Sequence, residues 1–147
     1  MIGTTGEAIS TAEAQLAFKF PPSFREWLLK NNGKGIEDVT IFPVYDERDA
    51  RKTSDSIVRN FDESWKSWIE HFDDSVDFRH LLPFGECGSG DVYCFDYSRP
   101  SDGVETPVVV WFHETGETEV VAEDFGEFIE IAEKGELILS RLERCAE

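Results

Sequence analysis

Apolar residues near the start of the chain recur at helical spacing, behind residues that favour helix starts. Ser10 to Glu13 has the spacing of a capping box and predicts a short helix from there to about Phe18. Proline fits the first turn of a helix, so Pro21-Pro22 predicts a second helix, which ends at Asn32-Gly33 with a left-handed cap. The apolar positions of this second helix are Phe24, Trp27 and Leu28.

A longer aromatic stripe marks the middle of the chain. Its members follow one another at spacings of four, four, three and four residues, which places them on one face of a helix. The stripe consists of Ile57, Phe61, Trp65, Trp68 and Phe72. A face of this kind is more often core than a cofactor site, so we expect it to pack against the rest of the protein.

Five runs of β-branched and aromatic residues predict strands. They are Val39 to Val44, Leu81 to Phe84, Val92 to Tyr97, Val108 to His113 and Thr118 to Ala122. The intervals after the second and fourth runs are short and contain glycine, which is typical of hairpin turns. Connections this short predict that the strands they join are antiparallel.

The last part of the chain returns to a helical pattern. Asp124 is suited to cap a helix, with Glu127 three residues later, and the apolar stripe runs to Ala132. Residues 133–147 read as a C-terminal helical extension with apolar positions at Leu137, Ile138, Leu142 and Cys145. The element order predicts a single α+β domain over residues 1–147, an antiparallel sheet of about four to six strands covered on one face by N- and C-terminal helices.

Composition adds a strong charge imbalance. The 147 residues include 12 Phe and 4 Trp, enough for a real core, but 31 Asp and Glu against 14 Lys and Arg give a formal charge of −17. No stripe of Lys or Arg is available to contact a phosphate backbone or an anionic bilayer, so we predict neither nucleic acid nor membrane as a partner. An acidic surface attracts basic proteins, although the same charge can serve solubility alone.

The three cysteines, Cys87, Cys94 and Cys145, contain no CxxC pair and cannot close a disulfide framework. Reduced thiols are the simpler interpretation. The first residues lack a signal-peptide pattern, and no run approaches the roughly 18 apolar residues of a membrane span. These features predict a cytoplasmic protein.

Catalytic chemistry would have to be assembled from scattered residues. Cys94, Asp96, His113 and Glu114 lie near the ends of adjacent predicted strands, but none of them has the spacing of a catalytic motif or of a zinc site. Cys94 and Asp96 share one face of their strand, and the pattern leaves open which face is buried. We therefore predict no enzymatic activity, no cofactor and no metal.

Acidic residues in loops and turns are the candidates for contact with a basic partner. The ten candidates are Asp46, Glu47, Asp49, Asp73, Asp74, Asp77, Glu86, Asp91, Glu114 and Glu117. One of the ten, Asp91, has a structural alternative, because in its turn it can bond to nearby backbone, as Asp96 can at its strand end. Trp111 lies in the most apolar strand, so core is favoured over an interface anchor.

Four segments, taken in order, resemble the motifs of SUKH domains. Phe20 to Leu29 with Asn32-Gly33 is similar to LP-x-x-[YF]-x-x-[FW]-L followed by NG. Gly90 to Asp96 is similar to G-D-x-Y-x-F-D, and Pro107 to Glu114 is similar to P-V-V-x-W-x-H-E. Val121 to Ile129 is similar to the A-x-[ST]-F-x-x-F helix.

The resemblance covers about residues 10 to 132, with departures at Phe20 for leucine and at Asp124 for Ser or Thr. Many bacterial members of the SUKH superfamily (SMI/KNR-like domains) resemble immunity proteins that neutralise cognate toxins of polymorphic toxin systems. The resemblance thus implies a protein that binds a toxin, and the charge favours a basic nuclease toxin. The alternative is a regulatory or scaffold module without a toxin, like the fungal branch that regulates cell-wall synthesis.

Overall fold

Five strands form one antiparallel sheet in this protein, whose computed structural model describes residues 3–36, 39–73, 76–98 and 105–135. The strands are β1 (Val39–Ile41), β2 (Leu81–Cys87), β3 (Val92–Asp96), β4 (Val108–Trp111) and β5 (Thr118–Ala122). Their order in the sheet follows their order in the chain, and each pairs antiparallel with the next. The predicted α+β class with an antiparallel sheet is confirmed.

Tight turns join β2 to β3 and β4 to β5. The first closes with Gly90 N donating to Cys87 O (3.2 Å), and Gly90 has a φ of 98°, a left-handed value that favours glycine. The second closes with Gly116 N donating to Phe112 O (2.7 Å). Both predicted hairpins are present, although β2 extends beyond its predicted end and β4 stops at Trp111 rather than at His113.

Six helices complete the described part of the chain. They are α1 (Gly6–Leu16), α2 (Pro22–Asn31), α3 (Ala50–Thr53), α4 (Ile57–Arg59), α5 (Lys66–Ile69) and α6 (Phe125–Glu133). A 3-10 turn over Glu47–Asp49 precedes α3, and a π-helical segment over Asn60–Trp65 joins α4 to α5 in one continuous helix. None of the described helices is long and apolar enough to cross a bilayer.

The N- and C-terminal helices cover one face of the sheet. Phe24 of α2 packs against Phe84 of β2, Phe95 of β3 and Phe125 of α6, with ring centroids 5.8, 5.2 and 4.9 Å away. All four rings are fully buried. Burial of a ring of this size contributes about 1.5–3 kcal/mol, so these contacts form the main core.

A second core lies on the opposite face of the sheet. Cys94 of β3 and Trp111 of β4 point away from the first core and pack under the helix that runs from α4 to α5. Trp65 of that helix is buried, and its ring lies 4.9 Å from the Trp111 ring. The expected cover of one face by N- and C-terminal helices is present, and the aromatic stripe of the middle helix covers the other face as well.

The first helix starts earlier than its sequence signal. Thr5 is the cap, and its side chain accepts a hydrogen bond from Ala8 N (3.1 Å). Glu13 makes no capping box with Ser10; it accepts from Phe20 N (2.7 Å) and forms an ion pair with Arg25. The prediction that Ser10 caps the helix is therefore wrong. Glu13 instead connects the end of α1 to the start of α2.

The middle helix ends at Ile69, so Phe72 lies beyond it rather than on its last turn. A π turn contains more residues than an α turn, and the residues that follow it are displaced around the helix axis. Trp65 is buried, while Trp68 is 36% exposed. The regular spacing of the stripe does not reveal this displacement.

Asp124 caps α6 as predicted, since its Oδ1 accepts a hydrogen bond from Glu127 N (2.8 Å). Gly33 after α2 has the predicted left-handed conformation, with a φ of 87°. The apolar positions of the predicted C-terminal extension, with Cys145 among them, and the candidate Asp74 lie outside the described residues.

Candidate protein-binding site

Asp46, one of the ten acidic candidates, lies in the interior with 5% of its surface exposed. Its Oδ2 accepts hydrogen bonds from Arg48 Nη2 (2.6 Å) and Thr4 Oγ1 (2.8 Å). The hydrogen bonds from the Arg48 guanidinium, more than that from Thr4, hold the pKa of Asp46 well below its usual range. The expectation that Asp46 is exposed is wrong, because the carboxylate ties the 3-10 turn to the segment that leads into α1.

The depressed pKa of Asp46 gives folding a pH dependence. The carboxylate stabilises the fold above its unfolded pKa of about 3.9, and this stabilisation is lost as the pH falls from there through the lower folded pKa. We expect Asp46→Asn to have a lower free energy of unfolding than wild type at neutral pH. This gap in the free energy of unfolding should narrow below about pH 4. Urea unfolding across this range measures the gap.

Asp77→Asn is the matched control, because Asp77 is also paired with an arginine, Arg79 (2.8 Å), but is exposed. Solvent screens this pair, so its variant should show a smaller gap at neutral pH. A gap for Asp46→Asn that stays constant or widens as the pH falls would contradict the role given to the buried carboxylate.

Asp91 is also buried, and it bonds across the sheet rather than within its own turn. Its Oδ1 accepts from the backbone N of His113 (3.2 Å) and lies 2.8 Å from His113 Nδ1. The structure thus corrects both the expected exposure of Asp91 and its expected bond to nearby backbone. The pair fixes the residues after β4 to the turn between β2 and β3.

Asp96 serves the local backbone as predicted, since its Oδ1 accepts from Ser98 N (2.9 Å) and Ser98 Oγ (2.6 Å). Cys94 is fully buried, and burial together with the charge of Asp96 raises the pKa of its thiol. A thiol in this state is a poor nucleophile. Within the described ranges, no group of three or more His, Cys, Asp or Glu residues is placed to hold a metal ion.

Two distant segments of the chain meet at one end of the second core. A Cβ atom at Gly116 would lie 2.9 Å from Phe72 Cε1, so the turn between β4 and β5 lies directly against the segment that follows α5. This contact brings the acidic residues of the turn close to those around Phe72. We call the exposed set the acidic end, and its members are Glu70, Asp73, Asp77, Glu114 and Glu117.

Trp68 stands at the edge of the acidic end. Its ring centroid lies 5.2 Å from that of His113 and 6.3 Å from that of Trp111. On its other side Trp68 shares a small gap with Glu86, whose pKa is raised by burial and by the charge of Asp55. Tryptophan is enriched among the residues that anchor protein interfaces, so the exposed part of Trp68 is a candidate anchor.

A groove of about 580 Å³ opens beside the acidic end. Its apolar lining includes Phe61, Ile69, Phe72 and Val76, and its charged lining consists of Lys66, Glu70, Asp73, Asp77 and Arg79. Lys66 Nζ lies 3.4 Å from Asp62 Oδ1 and 5.6 Å from the Phe61 ring centroid. Arg79 is paired with Asp77 (2.8 Å), so both cations of the groove already have partners.

The structure separates the remaining acidic candidates from this end. Glu47 and Asp49 lie in the 3-10 turn, where Glu47 lines a different cleft of about 470 Å³ together with residues of α1. Asp73 and Asp77 line one groove, Glu114 and Glu117 flank the Gly116 turn that contacts Phe72, and Glu86 shares a gap with Trp68. Sequence reasoning missed Glu70, although it precedes Phe72 in the same acid-rich segment as Asp73.

The comparison with protein-family models agrees with the motif pattern. No curated protein is significantly similar to the chain. The family model described as SMI1 / KNR4 family (SUKH-1) matches residues 3–131, a range that contains all five strands and the whole acidic end. The chain belongs to the SMI1/KNR4 family (SUKH-1).

Proposed function

We propose that this protein is an immunity protein that binds a cognate toxin and blocks it, with the acidic end and Trp68 as the contact surface. Members of its family act as binding modules rather than as enzymes. The observation that carries the proposal is the contact of the β4–β5 turn with Phe72, because it gathers acidic residues from two distant segments on one surface.

The composition of this surface supports protein recognition. Glu70, Glu114 and Glu117 are exposed, and their carboxylates have no ion pair with any other described residue. Free carboxylates supply long-range attraction, and an exposed tryptophan supplies a contact that is desolvated on binding. This combination favours a folded protein with a basic surface as the binding partner.

A nuclease toxin is the partner class that the charge favours. A nuclease carries a basic site for the phosphate backbone of its substrate, and clustered carboxylates can occupy that site in place of phosphates. The formal charge of −17 also speeds the encounter with a basic protein. Binding of this kind neutralises the toxin in the cytoplasm of the cell that makes both proteins.

The test is to co-express the chain with the product of the adjacent gene in its source genome. We expect the chain to restore growth and to copurify with that product. Absence of both rescue and complex would overturn the immunity proposal and favour the regulatory or scaffold module.

A triple variant that removes three negative charges from the acidic end tests the surface itself. We expect Glu70→Gln/Glu114→Gln/Glu117→Gln to weaken the complex by about tenfold or more, since each exposed ion pair contributes about 0.2–1 kcal/mol and the long-range attraction also falls. The control is Glu26→Gln/Glu130→Gln/Glu133→Gln, which removes the same charge from exposed positions of α2 and α6. Equal weakening by both triple variants would show that only net charge matters.

A further inference from the structure

We propose that the groove beside the acidic end binds a single arginine or lysine side chain of the partner. The aliphatic stem would lie along Ile69, Phe72 and Val76, and the cationic head would reach Glu70. The inference rests on the proposed function only in assigning the cation to a toxin. The ligand chemistry follows from the groove alone.

The groove combines an apolar floor with a carboxylate edge. Val76 is 45% exposed and Ile69 and Phe72 are half-buried, so an apolar surface remains open to solvent. Glu70 lines the same groove, and its carboxylate has no ion pair within the described ranges. Long cationic side chains bury an aliphatic stem against such a surface while the head stays near water and a carboxylate.

The protein already makes this type of contact within its own groove. Lys66 Nζ lies over the Phe61 ring at 5.6 Å and beside Asp62 Oδ1 at 3.4 Å. Phe72 and Glu70 offer the same pair of groups, an aromatic ring and a carboxylate, without a cation of the described chain between them. A cation over an aromatic ring is attracted to its face, and a nearby carboxylate adds to that attraction.

Charge complementarity therefore selects the occupant. An uncharged apolar side chain would match the floor but leave Glu70 without a partner. A carboxylate would be repelled by Glu70, whose charge has no ion pair within the described ranges. An arginine or lysine matches both parts of the groove, and arginine adds a planar head that stacks on aromatic rings.

The probe is a capped tri-arginine peptide, and its neutral counterpart is capped tri-citrulline. Binding is followed by NMR through the methyl signals of Ile69 and Val76 in the full-length protein. We expect saturable shifts of these methyl signals with tri-arginine and none with tri-citrulline. Equal shifts with both peptides would overturn the inference.

Two substitutions with matched controls locate the contact. We expect Glu70→Gln to weaken tri-arginine binding by about threefold or more, and Glu26→Gln to leave it unchanged. Val76→Ser should weaken binding because it removes an apolar contact with the aliphatic stem of the arginine. Leu29→Ser, at an equally exposed position of α2 (45%), should leave binding unchanged. If each variant and its control had equal effects, the peptide would be held by the overall negative charge, and the inference of binding in the groove would be overturned.

The growth assay separates this inference from the proposed function. If the wild type restores growth and the Glu70→Gln/Val76→Ser variant binds tri-arginine like wild type, the groove inference fails while the immunity proposal stands. If the wild type restores no growth but both substitutions weaken tri-arginine binding, the groove stands and its assignment to a toxin fails.

Discussion

Replacing Trp111 with alanine is expected to lower the free energy of unfolding by about 3–5 kcal/mol, the range for removal of a large buried aromatic side chain. Trp111 is 0% exposed, and its ring lies 4.9 Å from Trp65, 5.6 Å from Phe72 and 5.9 Å from Phe78. Its loss would leave a cavity at the centre of the second core. Urea unfolding monitored by circular dichroism measures the change.

Two further substitutions make this expectation specific. Trp111→Phe should lose much less stability, because it keeps a ring and because Trp111 Nε1 has no hydrogen-bond partner in the described part of the chain. Trp68→Ala, at a position 36% exposed, should cost less than Trp111→Ala. A change below about 1 kcal/mol for Trp111→Ala would contradict a rigid second core.

Replacing Asn32 with alanine is expected to lower the free energy of unfolding by about 2–4 kcal/mol, because two buried backbone groups lose their partner at about 1–3 kcal/mol each. Asn32 Nδ2 donates to Val44 O (2.9 Å), and Asn32 Oδ1 accepts from Val44 N (2.8 Å). The side chain thus acts as a strand partner for Val44, beyond the end of β1. Chemical denaturation of the variant measures the loss.

Asn31→Ala is the matched control for Asn32→Ala. Asn31 is half-buried and donates one hydrogen bond, to Trp27 O (3.2 Å), within its own helix. Its variant should lose about 1 kcal/mol or less. If the two variants lose the same stability, the amide of Asn32 does not hold Val44 in place.

Local patterns predicted most of the fold. The five strands follow from β-branched and aromatic runs, and Asp124 and Gly33 act at the helix ends that their chemistry favours. The errors arose where a tertiary contact overrides a local signal. Glu13 has the sequence position of a capping-box residue, yet its carboxylate accepts a hydrogen bond from Phe20 N and pairs with Arg25 instead.

The acidic end was predictable only in part. The sequence pattern places acidic residues in loops, but it does not predict that Gly116 lies against Phe72. Nor does it predict that Asp46 bonds to Arg48 and Asp91 to His113 in the interior. These contacts join residues far apart in the chain. The π-helical segment before Trp68 has no sequence signal that we recognise, so the stripe predicts a uniform core.

The dissociation constant of the complex with the cognate toxin, measured for the two charge-matched triple variants by titration calorimetry at one salt concentration, tests the central claim most directly. The proposed surface predicts that Glu70→Gln/Glu114→Gln/Glu117→Gln binds about tenfold more weakly than Glu26→Gln/Glu130→Gln/Glu133→Gln. Equal dissociation constants for the two variants would contradict recognition through the acidic end.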